Sequence, residues 1–173
     1  MKLKMYSTYL LPLRMYINMK NTQLVNRLIE LNMRISCAES CTGGMLASSI
    51  VEVSDASKVL DMSFVTYASS SKVELLGINQ QTIDKFGVVS EQVAYHMAIG
   101  VKNKAKSNVG IGITGIAGPS GGTDNTPVGT VCFGVAINEK VYTFTKKFGN
   151  IGRTNVRVRA TKFIIDKILE LLE

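Results

Sequence analysis

The sequence predicts an α/β domain: a three-layer α/β/α sandwich around a mixed, mostly parallel sheet of about five strands. Helical and strand-like patterns alternate through the first two thirds of the chain, which is typical of parallel strands joined by helices. The last third holds two strand patterns joined by a short Asn138-Glu139-Lys140 turn, and a helical pattern follows this hairpin. With 173 residues, 46% of them hydrophobic, the chain can form one such core.

Composition and charge exclude several classes of protein. No uncharged apolar run approaches the roughly 18 residues that cross a bilayer, so a membrane-spanning protein is excluded. The net charge is +7, of which +4 lies in residues 1–20. In residues 21–173 the basic residues are scattered among acids and lack interleaved aromatics, which disfavours nucleic-acid binding. Three cysteines and one histidine indicate reduced thiols, a cytoplasmic setting and no zinc site. We therefore expect a reaction without metal or cofactor.

Residues 1–18 are expected to be an N-terminal extension of the domain formed by residues 19–173. This segment is basic, rich in methionine and contains Pro12, and an upstream start or a targeting peptide would also explain it. From Thr22 the apolar residues Leu24, Val25 and Leu28 recur at helical spacing, which predicts a first helix that ends near Asn32.

The remaining elements follow from helical and strand periodicities. Ser71 and Glu74 form a capping-box pattern that predicts a helix with Lys72 in its first turn, and Gly77 suits its end. The predicted bounds of the other elements are 34–38, 63–67, 109–114, 128–138 and 141–148 for strands, and 43–53, 90–104 and 156–172 for helices.

Four loops with unusual composition are expected to meet at one edge of the sheet. Residues 38–44, 67–72 and 114–123 directly follow predicted strands, and residues 148–153 lead from the hairpin to the last helix. Ligands of open α/β sheets bind at the carboxyl ends of the parallel strands. The sequence therefore predicts a binding site at this edge.

Ser40 is the candidate nucleophile of the first loop. A strand that turns into a glycine-permitted helix start can expose a hydroxyl, while the amides of Thr42 to Gly44 form an oxyanion or phosphate site. Ser40 could equally be a helix cap, and spacing alone does not decide between the two roles. Cys41 is the second-ranked nucleophile, because no partner that would form a thiolate is evident.

Lys72 is the candidate base. At the start of a helix the macrodipole disfavours an ammonium group, and a cationic substrate would lower the lysine pKa further. Tyr67, five residues earlier, could relay a proton. Without other evidence, Lys72 would more commonly be an exposed surface lysine and Tyr67 a tyrosine at the edge of the core. The glycine-rich segment Gly115–Thr123 is either a cradle for an anionic or ribosyl group or an ordinary flexible loop, and composition does not decide between the two. Arg153, at the start of the last helix, is a candidate phosphate ligand, although a solvated arginine is the commoner outcome.

These segments together resemble the CinA C-terminal domain family, which includes stand-alone nicotinamide-nucleotide amidases. The resemblance runs from Leu24 to Leu172 and depends on five motifs in the order of the family. They are AESCTGG at 38–44, VSE at 89–91, TGIAGP at 114–119, GGT at 121–123 and PVGTV at 127–131.

The resemblance implies an α/β/α fold, a homodimer or higher homo-oligomer, and hydrolysis of the carboxamide of nicotinamide mononucleotide to nicotinate mononucleotide and ammonia. It assigns the nucleophile to Ser40 and the base to Lys72, with supporting roles for Tyr67, Thr114 and Arg153. No metal or cofactor is implied. The further substrate contacts expected from the matched motifs are Glu39, Thr42, Gly43, Gly44, Gly115, Gly121, Gly122 and Thr123.

The chain departs from the family pattern in three places. Residues 67–72 read Tyr-Ala-Ser-Ser-Ser-Lys where relatives often have Tyr-Ser-Asn-Glu-Ala-Lys, Gly152 replaces an Asp, and Ser120 occupies a Gly or Asp position. The altered segment Ala68–Ser71 motivates a second hypothesis, a catalytically silent nucleotide-binding module that serves a partner in competence or DNA-damage responses. A third hypothesis, nucleic-acid binding through residues 1–18, predicts strongly salt-dependent affinity.

Overall fold

The computed structural model describes residues 7–173, with side chains from Met19 onward. The described chain contains five strands, six α-helices and a short 3₁₀ turn at Ala56–Lys58. The strands are β1 (Ile35–Glu39), β2 (Leu60–Val65), β3 (Val109–Gly115), β4 (Thr130–Ile137) and β5 (Lys140–Lys147). The helices are α1 (Ser7–Glu30), α2 (Met45–Val51), α3 (Ser69–Leu76), α4 (Gln80–Phe86), α5 (Glu91–Ala105) and α6 (Arg153–Leu171).

The five strands form one mixed sheet in the order β2-β1-β3-β4-β5. β1 is parallel to both of its neighbours, so that Cys37 pairs with Ser63 on β2 and with Ile111 on β3. β4 is antiparallel to β3 and to β5, which confirms the predicted hairpin. The carboxyl ends of β1, β2, β3 and β5 therefore lie at the same edge.

Helices cover both faces of the sheet, which confirms the three-layer sandwich. α1, α2 and α6 pack together on one face over a core that includes Leu24, Phe133 and Ile164. α3, α4 and α5 cover the other face, where Val93 and Met97 are buried. The α5 backbone lies directly on β3 and β4, since a Cβ atom at Gly112 or Gly134 would collide with the carbonyl oxygen of Ala94.

The predicted capping box of α3 and the region of α4 are two places where the predicted helices differ from the observed ones. α3 begins at Ser69 with Ala68 as its N-cap, and Ser71 Oγ donates to the Ala68 carbonyl at 2.8 Å, so the predicted capping box is wrong. The predicted end at Gly77 is confirmed, with Gly77 in the left-handed conformation. The sequence did not predict α4, because this helix buries only Ile83 and so has no apolar periodicity. Its N-cap Asn79, which accepts from the Gln81 amide, is a residue type typical of helix starts.

The first helix begins at Ser7 and not near Thr22. The apolar residues that predicted it, Leu24, Val25 and Leu28, are fully buried. Residues 1–6 lie outside the described residues, and the boundary between extension and domain stays a prediction. Within the described part of the chain, no helix combines the length and apolarity needed to span a membrane.

Candidate active site

A cavity of about 300 Å³ lies at the edge where the loops converge. Six of the predicted site residues contribute to its lining, and they come from all four of the predicted loops. These six are Ser40, Tyr67, Thr114, Gly115, Gly121 and Arg153. The other lining residues are Cys41, Ser69, Val88, Val89, Ile116, Ala117, Gly118 and Ser120.

Ser40 and Lys72 meet beside this cavity. Ser40 lies in the turn after β1, and Lys72 is the fourth residue of α3, the helix after the adjacent parallel strand β2. Their Oγ and Nζ atoms are 3.2 Å apart. The Lys72 side chain is 0% exposed and Ser40 is 8% exposed, so the contact is nearly sealed from solvent.

Three oxygen atoms surround Lys72 Nζ, and they can accept from the ammonium form or, two of them, from the neutral amine. Besides Ser40 Oγ, they are the carbonyl oxygens of Thr66 at 2.6 Å and Tyr67 at 3.5 Å. Carbonyl oxygens only accept, so the two N–H groups of a neutral amine are directed at these two carbonyls. Its lone pair is then left to accept the proton of the Ser40 hydroxyl.

Burial lowers the pKa of Lys72 from 10.5 to about 8, although the nearby Cys41 opposes the shift. The sequence-based explanation, a first-turn position in the helix dipole, is therefore replaced by desolvation of the ammonium group. Burial also raises the pKa of Cys41 to about 12, so this thiol stays protonated near neutral pH and is a poor rival to Ser40.

Glu39 holds the turn that carries Ser40. It is fully buried, and its carboxylate accepts from the amides of Gly44 at 3.1 Å, Leu46 at 3.2 Å and Ala47 at 2.9 Å. These amides belong to the start of α2, where helices leave N–H groups unpaired. Glu39 thus caps α2 and is not part of the cavity lining, and its expected substrate contact stays a prediction.

We expect the Glu39→Gln substitution to lower the free energy of unfolding by about 2–4 kcal/mol, because a carboxamide turns an N–H group toward amides that need an acceptor. Urea denaturation checks this value. The matched control is Glu52→Gln at the exposed C-terminal end of α2, which should change stability by less than about 0.5 kcal/mol. Equal effects of the two substitutions would contradict the capping role.

Two of the three predicted oxyanion amides, those of Gly43 and Gly44, are already occupied. The Gly43 amide donates to the Ser40 carbonyl at 3.1 Å, and the Gly44 amide is bound by Glu39. Gly44 has a φ of 86°, which explains the glycine, and the fully buried Thr42 does not line the cavity. Sequence reasoning missed Arg157, whose Nε and Nη2 atoms donate to the Thr42 carbonyl at 3.2 and 2.8 Å and hold this turn from α6.

Tyr67 and Arg153 form a second pair at the cavity. Arg153 donates from Nη2 to the Tyr67 hydroxyl at 3.1 Å and from Nη1 to the Gly118 carbonyl at 3.0 Å. The proton relay predicted for Tyr67 finds no support, because the bond of its hydroxyl is to Arg153 and not to Ser40 or Lys72. Arg153 is the one charged side chain in the described lining, which favours an anionic ligand.

The glycine-rich loop enters the cavity only in part. Gly115 to Gly118, Ser120 and Gly121 line it, whereas Gly122 and Thr123 do not. Thr123 instead closes a local turn, in which its hydroxyl accepts from the Thr126 amide at 3.1 Å. The Thr114 hydroxyl donates to the Val88 carbonyl at 2.8 Å, which links β3 to a lining segment that sequence reasoning did not assign. The sequence feature that could have identified this lining segment is the VSE motif at 89–91.

No group of three or more His, Cys, Asp or Glu side chains within the described residues could hold a metal ion.

The structure shows where the residues that depart from the family pattern lie. Ser69 and Ser120 line the cavity, while Gly152 is the N-cap of α6 without a side-chain hydrogen bond.

Comparison with known proteins places these residues in a family context. The CinA C-terminal domain model matches residues 18–172. A protein of Enterobacter agglomerans named nicotinamide-nucleotide amidohydrolase PncC is 43% identical over 136 residues, which cover 78% of this chain and 82% of that protein. A CinA-like protein of Petrotoga mobilis is 42% identical over 161 residues, which are 92% of this chain but 40% of that protein. The chain thus spans less than half of the Petrotoga relative.

Solved structures share the fold. The competence/damage inducible protein CihA from Agrobacterium tumefaciens has a TM-score of 0.89 and 34% identity, covering 91% of this chain and 96% of that one. A CinA superfamily protein from Escherichia coli has a TM-score of 0.86 and 38% identity over 90% of each chain. With its motifs, its sheet and nearly its whole length matched, this chain belongs to the CinA C-terminal domain family.

Proposed function

We propose that this protein hydrolyses the carboxamide of nicotinamide mononucleotide to nicotinate mononucleotide and ammonia. The observation that carries the proposal is the 3.2 Å contact between Ser40 Oγ and the buried amine of Lys72 beside the cavity. The name of the Enterobacter agglomerans relative supports the choice of substrate. The homo-oligomer expected from the resemblance stays a prediction.

In the proposed mechanism, Ser40 Oγ attacks the amide carbon and its proton passes to Lys72 Nζ. The oxyanion lies near the amide of Cys41, the next residue in the cavity lining. Collapse of the tetrahedral intermediate breaks the C–N bond, and the Lys72 ammonium returns the proton to the departing ammonia. A water molecule, deprotonated by the neutral Lys72, then hydrolyses the acyl ester and frees Ser40.

Charge complementarity indicates how the phosphate and the pyridinium ring of the substrate are oriented in the cavity. The substrate phosphate is placed against Arg153 and the backbone of Gly115 to Gly121, because guanidinium and amide groups are suitable donors to phosphate oxygens. The pyridinium ring then lies toward Ser40. Its positive charge near Lys72 disfavours the ammonium form, which helps to keep the base neutral.

The wild-type protein is expected to release ammonia from nicotinamide mononucleotide, and kcat/KM should rise with pH to a plateau above about 8. This direction follows because only the neutral Lys72 accepts a proton, and its pKa is lowered to about 8. Coupled ammonia detection across the pH range checks both points. Binding of the nucleotide without ammonia release would contradict the proposal and favour the silent binding module.

A further inference from the structure

The VSE motif has no role in the chemistry proposed above, although it adjoins the cavity. It lies between α4 and α5, where Val88 and Val89 are half-buried and line the cavity, and Glu91 is the first residue of α5. With Ile116 and Ala117, the two valines supply the apolar part of the lining.

Glu91 ties this segment to the edge strand β5. Its Oε2 atom accepts from the Thr143 hydroxyl at 2.7 Å, and its Oε1 atom accepts from the Thr145 hydroxyl at 2.6 Å. Thr143 and Thr145 are two residues apart, so both face the same side of the sheet. Hydroxyl donors to a carboxylate form short, strong hydrogen bonds, so both carboxylate oxygens of Glu91 are firmly held.

The other residues of the segment are also fixed. The Val88 carbonyl accepts from the Thr114 hydroxyl at 2.8 Å. Ser90 Oγ donates to the Gly87 carbonyl at 2.9 Å and accepts from the Val93 amide at 3.2 Å. The two valines are therefore held between a bond to β3 on one side and the Glu91 bonds to β5 on the other.

We propose that Glu91 is a positioning residue that sets the Val88–Val89 wall of the cavity, and that this wall contacts the flat face of the substrate's heteroaromatic ring. Branched aliphatic side chains offer such a ring an apolar surface of fixed shape. This inference rests on the proposed function, because that function identifies the ring. It assigns Glu91 to substrate binding through Val88 and Val89, and not to proton transfer.

The test measures the Kd of nicotinamide mononucleotide by calorimetry in a Ser40→Ala background, where turnover does not interfere. Adding Glu91→Ala should raise Kd about 10-fold, the scale of one lost hydrogen-bonding group. Adding Glu91→Gln should restore Kd to within about 2-fold of the parent, since a carboxamide can accept from one hydroxyl and donate to the other. With Ser40 intact, Glu91→Ala should raise KM by a similar factor and change kcat by less than about 3-fold.

The double variant Thr143→Val/Thr145→Val removes the same bonds with isosteric side chains and should raise Kd as Glu91→Ala does. It keeps the test decisive if Glu91→Ala does not fold. An unchanged Kd in the double variant, with normal binding by the Ser40→Ala parent, would overturn this inference alone. Absence of binding by the Ser40→Ala parent would overturn the proposed function and this inference with it.

Discussion

Replacing Ser40 with alanine is expected to lower kcat for ammonia release from nicotinamide mononucleotide by at least about 10³-fold, the scale of losing a covalent nucleophile. The physical reason is the position of the hydroxyl, which is 3.2 Å from the amine of Lys72 and lines the cavity. Alanine leaves the Lys72 amine without an alcohol to deprotonate. Substrate binding should persist, because the phosphate contacts assigned to Arg153 are untouched.

Ammonia release and calorimetric binding are to be measured on the same preparations. The matched control is Ser48→Ala, which removes an exposed hydroxyl from α2, the helix that follows the Ser40 turn, and should leave kcat unchanged. A Ser40→Ala protein that keeps more than about a tenth of the wild-type kcat would rule out a serine nucleophile.

Replacing Lys72 with methionine is expected to abolish turnover and to raise the free energy of unfolding at pH 7 by about 1–3 kcal/mol. The folded-state pKa of about 8 lies below the ordinary 10.5, so burial of the ammonium group opposes folding. At pH 7 the amine is protonated in both states and the full cost is present. Methionine has a similar shape and no charge, although it leaves the Thr66 carbonyl unpaired, which offsets part of the increase.

The pH dependence separates this effect from simple repacking. Between pH 8 and 10.5 the unfolded chain binds more protons at Lys72 than the folded chain, so wild-type stability rises with pH through this window. The stabilisation by Lys72→Met should therefore shrink between pH 7 and pH 10.5 in urea denaturation. Lys104→Met, at an exposed position of α5, is the control without such a trend. A pH-independent difference would contradict the buried-amine explanation.

Local patterns were sufficient for the order of the elements and for the edge at which the loops meet. Hydrophobic periodicity located all five strands, and the rule that parallel strands end at one edge brought Ser40 and Arg153 to one cavity. The resemblance to the family assigned the base role to Lys72, which periodicity alone would have left as a surface lysine. Periodicity did not find α4, because that helix buries only one residue.

The polar contacts of the site were not predictable in the same way. Glu39 was expected to contact the substrate and Tyr67 to relay a proton, yet Glu39 caps α2 and the Tyr67 hydroxyl is bound by Arg153, 86 residues away. Which donor finds which acceptor depends on side chains that approach only after the layers have packed. The hydrogen bonds from Thr143 and Thr145 to Glu91 have the same origin.

The amino-acid sequence by itself determined the sandwich, the hairpin and the edge that carries the site, because these follow from backbone periodicity and strand direction. Only the tertiary structure decided that Lys72 is buried beside Ser40 and that the first amides of α2 are already bound. Burial and hydrogen-bond pairing are properties of the packed chain, since each depends on groups contributed by several distant segments. For this reason the chemistry of the lysine could be proposed from the resemblance to the family, whereas the cause of its lowered pKa required the fold.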